Sequence, residues 1–378
     1  MSSDCLWRGC RVKQNRFSEL TYNVSITAFS LFVALALGAL LFLIAGANPF
    51  KAYAVMFTAP LQDIFGITEI FVRAAPLLLV ALGISISFRS GILNIGGEGQ
   101  ILVGAIFGLF VSLYFPKFHW SVMIPMVFMA SFIGGAIWGG IAGWMKAYLN
   151  VNEILSTVML NYVAIQIYNF LIRGPMMDEN EIVYGTGASQ TARIAKEYWL
   201  TKLIPGARLH SGMIIAAVLA VIVFFFLWKT IYGYRMRAVG AEIKASRYAG
   251  INTKWYLLLA MLFAGGFAGL AGAVEILGVH HRGLESISAG YGFSGIVVAL
   301  FGGLHPLGAI PASIVFGLLI VGADMMQRAV QVPAYIILAI QGLIILAIVT
   351  SSVFISKKSM KAKVLAKLKK FTGGKDAV

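Results

Sequence analysis

Long stretches without a single charged side chain constrain the fold of this chain more than any other feature. Three of them are 22 to 24 residues long and cover residues 24–45, 122–145 and 333–354. A helix needs about 20 apolar residues to cross the ~30 Å hydrocarbon core of a bilayer, so each stretch predicts a membrane-spanning helix. Three further spans are predicted over residues 154–172, 212–228 and 256–277.

The composition agrees with a membrane protein. Only 12% of the 378 residues are charged and 59% are hydrophobic, whereas a soluble domain carries about 25% charged residues. This is too little charge to cover a water-facing surface, which argues against a soluble enzyme. We therefore predict an all-α integral membrane protein with about eight to ten transmembrane helices.

A glycine-rich polar segment at residues 89–99 interrupts the apolar sequence between residues 74–88 and 100–115. A second glycine-rich interruption, at residues 279–292, also leads into a short apolar segment. If halves of five spans repeat, their odd number makes them inverted, as in many transporters with broken helices around a central site. We predict a broken or re-entrant segment near 89–99 and an inverted repeat.

Residues 293–322 form an uncharged region of 30 positions. As a helix this region would be ~45 Å long, which is too long for one span and too short for two. The dipeptides Gly302-Gly303 and His305-Pro306 divide it. We expect two short helices or a re-entrant pair, with the break near 293–306.

The net charge of +15 comes almost entirely from three segments. Residues 1–20, the loop 229–254 (the basic loop) and the sequence after residue 354 together hold 18 basic and 4 acidic side chains. The loop 173–210 (the outer loop) is nearly balanced, with five basic and four acidic residues. Because basic loops stay in the cytoplasm, we expect both termini and the basic loop inside the cell and the outer loop outside. The charge thus orients the chain beside membrane lipid and does not indicate nucleic-acid binding.

These boundaries predict three parts of the chain. A cytoplasmic N-terminal segment covers residues 1–20, a transmembrane domain covers 21–355, and a basic cytoplasmic tail covers 356–378. The transmembrane domain contains both the outer loop and the basic loop.

The strongest local feature is the run Asn94-Ile-Gly-Gly-Glu-Gly-Gln100. A carboxylate and two amides at membrane depth are costly unless they face protein or a water-filled cavity. We therefore predict that Asn94, Glu98 and Gln100 line a translocation pathway, with Asn161 and Glu275 as candidates from other spans. The alternative is a helix start, with Asn94 as its cap and Glu98 at the positive end of the helix dipole.

No motif predicts a cofactor, a metal site or a catalytic residue. The chain lacks the G-x-x-x-x-G-K-[ST] phosphate cradle, so we expect it not to hydrolyse ATP itself. His280 and His281 with Glu285 are a weak metal candidate, because adjacent histidines point to different faces of a helix. A polar interfacial loop explains them better.

The basic loop contains a helical pattern from about residue 241 to 249 that closes at Gly250, in a helix C-cap position. Two interpretations stay open. The loop is either a surface helix held to anionic lipid, or a docking helix that inserts into a groove on a cytosolic partner.

An ordered set of motifs extends from about residue 70 to 350. It comprises Gly91-Ile-Leu-Asn-Ile-Gly-Gly-Glu-Gly-Gln100, Asn152-Glu-Ile-Leu-Ser-Thr-Val-Met-Leu-Asn-Tyr162, Arg235-Met-Arg-Ala-Val-Gly240 with Ala249-Gly-Ile251, Leu277-Gly-Val-His-His-Arg282, Gly290-Tyr-Gly-Phe-Ser-Gly-Ile-Val-Val-Ala-Leu300, His305-Pro306, Gln331-Val-Pro333 and Gln341-Gly342. In this order they resemble permease subunits of bacterial ABC importers, in the branched-chain amino acid and simple-sugar permease superfamily. The likeness is greatest to nucleoside-type permeases, with Gly96-Gly97 replacing a more usual Gly-Val.

The resemblance implies a multi-pass permease without enzymatic activity in a bacterial inner membrane. It implies three kinds of partner: a second related permease, cytosolic ABC ATPase subunits and an extracytoplasmic substrate-binding protein. The basic loop would then couple to the ATPase through Arg235, Arg237, Gly240, Ala245 and Gly250. The family's substrates include nucleosides and simple sugars, and the residues alone do not select among them.

Two other classes of protein stay open. An ion-coupled secondary transporter would use Glu98 or Glu275 as its proton carrier. An intramembrane enzyme would use Glu98 or the His280-His281 pair.

Overall fold

A computed structural model describes residues 32–115, 118–185 and 189–331, together with isolated positions at 25, 29, 339, 342, 343, 346 and 347. Apart from those positions, the predicted segments 1–20, 333–354 and 356–378 lie outside the described residues.

The described chain is helical, with strand pairing limited there to three isolated β-bridges. Its helices are α1 (Phe32–Ile44), α2 (Pro49–Gln62), α3 (Ile64–Arg89), α4 (Gly97–Tyr114), α5 (Trp120–Leu149), α6 (Glu153–Arg173), α7 (Glu179–Tyr184), α8 (Gly212–Lys229), α9 (Ile231–Ala241), α10 (Ile243–Tyr248), α11 (Thr253–Val274), α12 (Tyr291–Phe301) and α13 (Pro306–Val330). Within the described ranges, seven helices are long and apolar enough to cross a membrane, or eight if the bent pair α1 and α2 is one span. The predicted all-α membrane fold is confirmed.

The described part of the chain divides into two compact units. One is Met56–Gly322, and the other combines the segments on either side of it. In the flanking unit, the Tyr53 hydroxyl donates a hydrogen bond to the carbonyl oxygen of Leu35 at 2.7 Å, and its ring meets Phe42 edge-on at 5.4 Å. All candidate site residues belong to Met56–Gly322.

Glycines hold the centre of this unit together, where α11 packs against α3, α4 and α5. A Cβ atom on Gly135 would overlap the carbonyl oxygen of Gly265, and one on Gly104 would overlap the Cα of Gly269. Small residues four apart let helix backbones approach closely inside lipid. The helices around the breaks therefore form a tight bundle.

The predicted break at 89–99 is present as residues 90–96, between α3 and α4. Gly91 adopts a φ of +79° there, a left-handed conformation that side chains disfavour and glycine tolerates. The chain thus leaves the helix at the end of α3 and re-enters one at Gly97.

The helix before the break is longer than the predicted span 74–88, because α3 begins at Ile64. The Asp63 side chain accepts a hydrogen bond from Gly66 N and caps this helix, as short acidic side chains commonly do. The longer helix brings Glu69 and Arg73 into a membrane-spanning segment.

The predicted break in the region 293–322 is also present, over residues 302–305. The expectation of two short helices is wrong for the second: α12 has 11 residues but α13 has 25. Pro306 occupies the first position of α13, where a missing N–H costs nothing. The proline therefore starts a full-length helix.

The outer loop folds over the end of α11. Backbone N–H groups of Thr191, Ile194 and Leu200 donate hydrogen bonds of 2.8 to 3.1 Å to the carbonyl oxygens of Gly283, His281 and Leu277, in that order. The segment beyond α11 is thereby covered before it turns into α12.

Candidate functional site

Two side chains at the break hold its backbone in place. The Asn94 side chain accepts a hydrogen bond from Gly96 N at 2.9 Å, and Asn94 Nδ2 donates to Gln100 Oε1 at 2.9 Å. Both side chains are only 1% exposed. Since a buried polar group costs free energy unless it is hydrogen-bonded, the pair stabilises the non-helical backbone between α3 and α4.

A third amide reaches the break from α6. Asn161 Oδ1 accepts a hydrogen bond from Gly99 N at 2.9 Å, and Asn161 Nδ2 donates to the carbonyl oxygen of Ile95 at 2.9 Å. The first N–H groups of a helix have no partner within that helix. Here a side chain of another helix supplies the acceptor, so α6 is hydrogen-bonded to the start of α4.

The start of α12 meets the start of α4 at the same place. A Cβ atom on Gly97 would lie 3.0 Å from the Cα of Gly292, and one on Gly292 would overlap Glu98 N. The Glu98 carboxylate accepts a hydrogen bond from Gly292 N at 3.0 Å. Glu98 therefore caps α12, and only glycine fits at residue 292. We call residues 94–100 with Asn161 and Gly292 the junction.

From the junction, the two helices run to opposite ends of the bundle. At the end of α4, the Tyr114 hydroxyl donates to the carbonyl oxygen of Pro175 in the outer loop at 3.2 Å. Beyond the end of α12, the carbonyl oxygens of Gly303 and Leu304 accept hydrogen bonds from Arg89, which ends α3 beside the basic loop. The helices that follow the interruptions at 90–96 and 279–292 therefore diverge, as an inverted repeat requires. The repeat itself stays a prediction.

Four of the five predicted pathway residues meet at the junction: Asn94, Glu98, Gln100 and Asn161. All four are buried. In this conformation their polar atoms bind backbone groups, one another or, for Glu98, also the Ser288 side chain. The helix-start alternative holds in part. Glu98 lies in the first turn of α4, at the positive end of its dipole, but the N-cap residue of α4 is Gly96 and not Asn94. Glu98 also caps α12. Direct contact of these residues with a substrate stays a prediction.

A second buried polar group begins at Tyr291, next to the junction. The Tyr291 hydroxyl accepts a hydrogen bond from Arg73 Nη1 at 2.8 Å, and Arg73 Nε lies 3.4 Å from Glu69 Oε1. Arg208 of the outer loop approaches the same Glu69 oxygen at 3.3 Å. Ionisable residues inside membrane segments are costly and mark functional sites.

The fifth predicted pathway residue, Glu275, belongs to this second group. It is 1% exposed and begins the π-helical turn Glu275–His280 that extends α11. Its Oε2 lies 3.3 Å from His280 Nε2, and Arg73 is within electrostatic range. π-Helical turns are frequent at functional sites. We call this second group the charged cluster; its members are Glu69, Arg73, Arg208, Glu275, His280 and Tyr291.

Four members of the charged cluster are not predicted as site residues from the sequence: Glu69, Arg73, Arg208 and Tyr291. Glu69 and Arg73 precede residue 74, where the predicted span begins. Their four-residue spacing places an acid and a base on one helix face, and that signal would have revealed them. Arg208 lies in the outer loop and has no such signal.

The histidine pair does not form a metal site in the described part of the chain. No group of three or more His, Cys, Asp or Glu side chains is arranged there to hold a metal ion. His281 has a φ of +56°, and its ring stacks on Trp199 at a centroid distance of 3.8 Å. The two histidines therefore have different partners.

His210 lies buried at the end of the outer loop. Its Nδ1 accepts a hydrogen bond from Gly212 N at 3.1 Å. Burial is the main cause that lowers the pKa of His210 to about 4. Repulsion from His281 and Arg208 acts in the same direction. An unfolded histidine has a pKa of about 6.5. The unfolded loop therefore gains a proton first as the pH falls.

We expect the outer loop to lose stability between about pH 6.5 and pH 4, by up to about 3 kcal/mol from His210 alone. Hydrogen exchange of loop amides at pH 7.5 and pH 5 measures this loss. His210→Asn keeps an oxygen that can accept from Gly212 N but does not titrate, so it should reduce the acid sensitivity. Burial also lowers the pKa of His281 to about 4. The acid sensitivity that remains in the variant is therefore expected from His281. Equal acid sensitivity in the variant and the parent would refute the role of His210.

In the basic loop, α9 touches the broken helix directly. A Cβ atom on Gly240 would overlap the carbonyl oxygen of Arg89, and one on Gly91 would lie 2.9 Å from the Cα of Gly240. Gly91 is the second residue of the break. A displacement of α9 therefore acts on the backbone at the point where α3 ends.

Two arginines strengthen this attachment around Trp228, at the end of α8. Arg237 Nε donates to the carbonyl oxygen of Leu227 at 3.1 Å, and the Arg237 guanidinium lies 5.4 Å from the centre of the Trp228 ring. The Arg89 guanidinium lies over the same ring at 5.3 Å. Cation–π contacts of this kind are attractive, so they join the ends of α3 and α8 to α9.

α10 presents the exposed part of the basic loop. The predicted helix from 241 to 249 is present as Ile243–Tyr248, followed by Gly250 with a φ of +78°. Ala245 and Gly250 are exposed. Of the other predicted coupling positions, Arg237 and Gly240 contact the membrane helices, and Arg235 Nη1 donates to the Tyr256 hydroxyl at 3.2 Å.

Comparison with known proteins gives the same assignment over most of the chain. A family described as branched-chain amino acid transport system / permease component matches residues 66–349. The chain is 34% identical to the glucose ABC transporter permease protein TsgB13 of Haloferax volcanii, over 89% of each chain. It is 32% identical to the guanosine ABC transporter permease protein NupP of Bacillus subtilis, over 87% of this chain and 94% of that protein.

A third relative is the nucleoside ABC transporter permease protein NupB of Lactococcus lactis, 34% identical over 82% of this chain and 86% of that protein. The family match, the multi-pass helical fold and the ordered motifs agree with one another. This chain belongs to the branched-chain amino acid transport system permease component family.

Proposed function

We propose that this chain forms the translocation pathway of an ABC importer for nucleosides or related simple sugars. The observation that carries the proposal is the contact between Gly240 of the basic loop and Gly91 of the break. Through this contact, a movement that a cytosolic partner imposes on the basic loop would reach the break beside the junction. The names of the relatives, for guanosine, nucleosides and glucose, support the substrate class.

The mechanism follows from this route. The chain pairs with a second related permease and with cytosolic ATPase subunits, and it receives substrate from an extracytoplasmic binding protein. ATP-driven closure of the ATPase pair moves α10 and α9, and the movement passes through Gly240 to the end of α3. The junction then opens between the inverted halves, in a bacterial plasma membrane with both termini in the cytoplasm. Selectivity can reside mainly in the binding protein.

Uptake by reconstituted vesicles tests the function. Vesicles containing the chain and its partner subunits should take up labelled guanosine or glucose only with ATP, and a proton uncoupler should not stop the uptake. Glu98→Gln keeps an oxygen acceptor for Gly292 N but cannot carry a proton, so transport should persist in this variant. Uptake without any ATPase, abolished by the uncoupler and by Glu98→Gln, would establish the ion-coupled alternative. Turnover of lipid or peptide by the chain alone would establish the enzyme alternative.

The exposed face of α10 should carry the ATPase contact. Ala245→Asp places an unpaired charge there, and we expect about tenfold less ATPase to co-purify with an unchanged melting temperature. Gly240→Asp should reduce co-purification and also lower the melting temperature, because its Cβ overlaps the backbone of Arg89. Normal co-purification of the ATPase with Ala245→Asp would refute the docking assignment of α10.

A further inference from the structure

A cavity of about 550 Å³ opens beside the basic loop, between the start of α9 and the turn that leads into α11. Its main walls are Tyr232, Tyr234, Arg235, Trp255 and Tyr256. The volume lies within the range of about 300–1,000 Å³ that small-molecule sites occupy. Arg235 and Gly250, two of the predicted coupling positions, also line this cavity, but the proposed mechanism assigns no ligand to it.

The cavity is positively charged and has no acidic lining residue. Arg235 is the charged residue in its wall, and its guanidinium is oriented by the hydrogen bond to the Tyr256 hydroxyl. The acid of the basic loop, Glu242, is engaged elsewhere, since its carboxylate accepts a hydrogen bond from Lys244 N. The cavity therefore offers a guanidinium, aromatic rings and a tyrosine hydroxyl, which suit an anionic group with an attached apolar part.

The position of the cavity identifies the source of that group. Two membrane-length helices have their termini beside it: α8 ends at Lys229, and α11 begins at Thr253. The cavity residues follow or flank these ends within a few positions, so the cavity lies at the level of the lipid headgroups. Tyr232, Tyr234 and Trp255 are 58%, 63% and 45% exposed, as is typical of tyrosine and tryptophan at a membrane interface.

We propose that this cavity binds the headgroup phosphate of an anionic phospholipid, with Arg235 as its ligand and the exposed aromatic rings along the glycerol region. Lys229 and Lys254, at the ends of the adjacent spans, add to the attraction for a negatively charged leaflet. A lipid held here would contact both the start of α9 and α11, and α9 contacts the break at its other end through Gly240.

Native mass spectrometry of the full-length chain tests the site. The chain is released from micelles containing phosphatidylglycerol or phosphatidylcholine, and the retained lipid is measured. We expect preferential retention of phosphatidylglycerol and about a five-fold loss of it in Arg235→Gln. The matched control Lys244→Gln removes one charge from the same loop outside the cavity and should retain the lipid. Tyr256→Phe removes the hydrogen bond but keeps the guanidinium, and it should also retain most of the lipid.

Two results would overturn the proposal. Equal losses in Arg235→Gln and Lys244→Gln would mean diffuse attraction by the whole basic loop. Unchanged lipid retention in Arg235→Gln, together with weaker ATPase co-purification, would mean that the cavity receives a side chain of the ATPase. Neither result would affect the proposed transport function, which the uptake assay tests separately.

Discussion

Replacing Gly292 by alanine should disrupt the junction and abolish transport. The added Cβ overlaps Glu98 N, so the start of α12 must move away from α4. That movement also lengthens the hydrogen bond between Gly292 N and the Glu98 carboxylate, now 3.0 Å. Overpacking costs about 1–3 kcal/mol, and a lost hydrogen bond to a charged group costs about 1.5–3 kcal/mol. We expect a destabilisation of about 3–5 kcal/mol, measured by SDS titration of the purified chain.

The matched control for this variant is Ser294→Thr. It adds one methyl group to the same helix, at a half-buried position two residues further along. This change should leave both SDS stability and ATP-driven uptake close to the parent. If Gly292→Ala behaves like the control, the two helix starts are not in backbone contact, and our description of the junction is wrong.

Replacing Arg73 by glutamine should have a comparable effect through the charged cluster. Arg73 faces Glu69 and donates to Tyr291, and Glu69 Oε2 has no hydrogen-bond partner among the described residues. Once the arginine is removed, the partly exposed Arg208 is, among the described residues, the cation that remains beside Glu69. Breaking a buried ion pair from one side costs about 3–5 kcal/mol, so we expect a loss of that size in SDS titration.

An exposed ion pair of the same chain provides the control for the buried pair of Glu69 and Arg73. Arg173 and Glu285 are 2.6 Å apart but exposed, with side-chain exposures of 59% and 41%. Arg173→Gln should change stability little, because exposed pairs are screened by solvent. The double variant Glu69→Gln/Arg73→Gln removes both partners and should recover part of the stability that Arg73→Gln loses. Equal effects of Arg73→Gln and Arg173→Gln would show that the charged cluster is hydrated.

Features that depend on short stretches of sequence are predictable here. The break at 89–99 follows from its glycines, and the helix α10 follows from its pattern and from Gly250. The class of fold follows from the long uncharged runs. In each case the physical cause lies within about 20 residues of its effect.

Features that depend on distant contacts are not predictable in this way. Glu98 is read from sequence as a residue of its own helix start, but its partner Gly292 lies 194 positions away. Pro306 looks like a breaker of one long region, although in the fold it starts α13. Arg208 joins Glu69 only because the outer loop folds back over the bundle.

The glycine contacts among α4, α5 and α11 also limit which substitutions these helices can accept during evolution. Every amino acid reachable from glycine by one base change carries a Cβ atom. At Gly104, Gly135, Gly265 and Gly269, that atom would overlap backbone of a neighbouring helix, which cannot rotate aside as a side chain can. Where the facing residue is itself glycine, no second substitution can compensate, because no smaller residue exists. These four positions therefore tolerate no substitution without movement of a helix, whereas an exposed position such as Ile137 carries no such restriction.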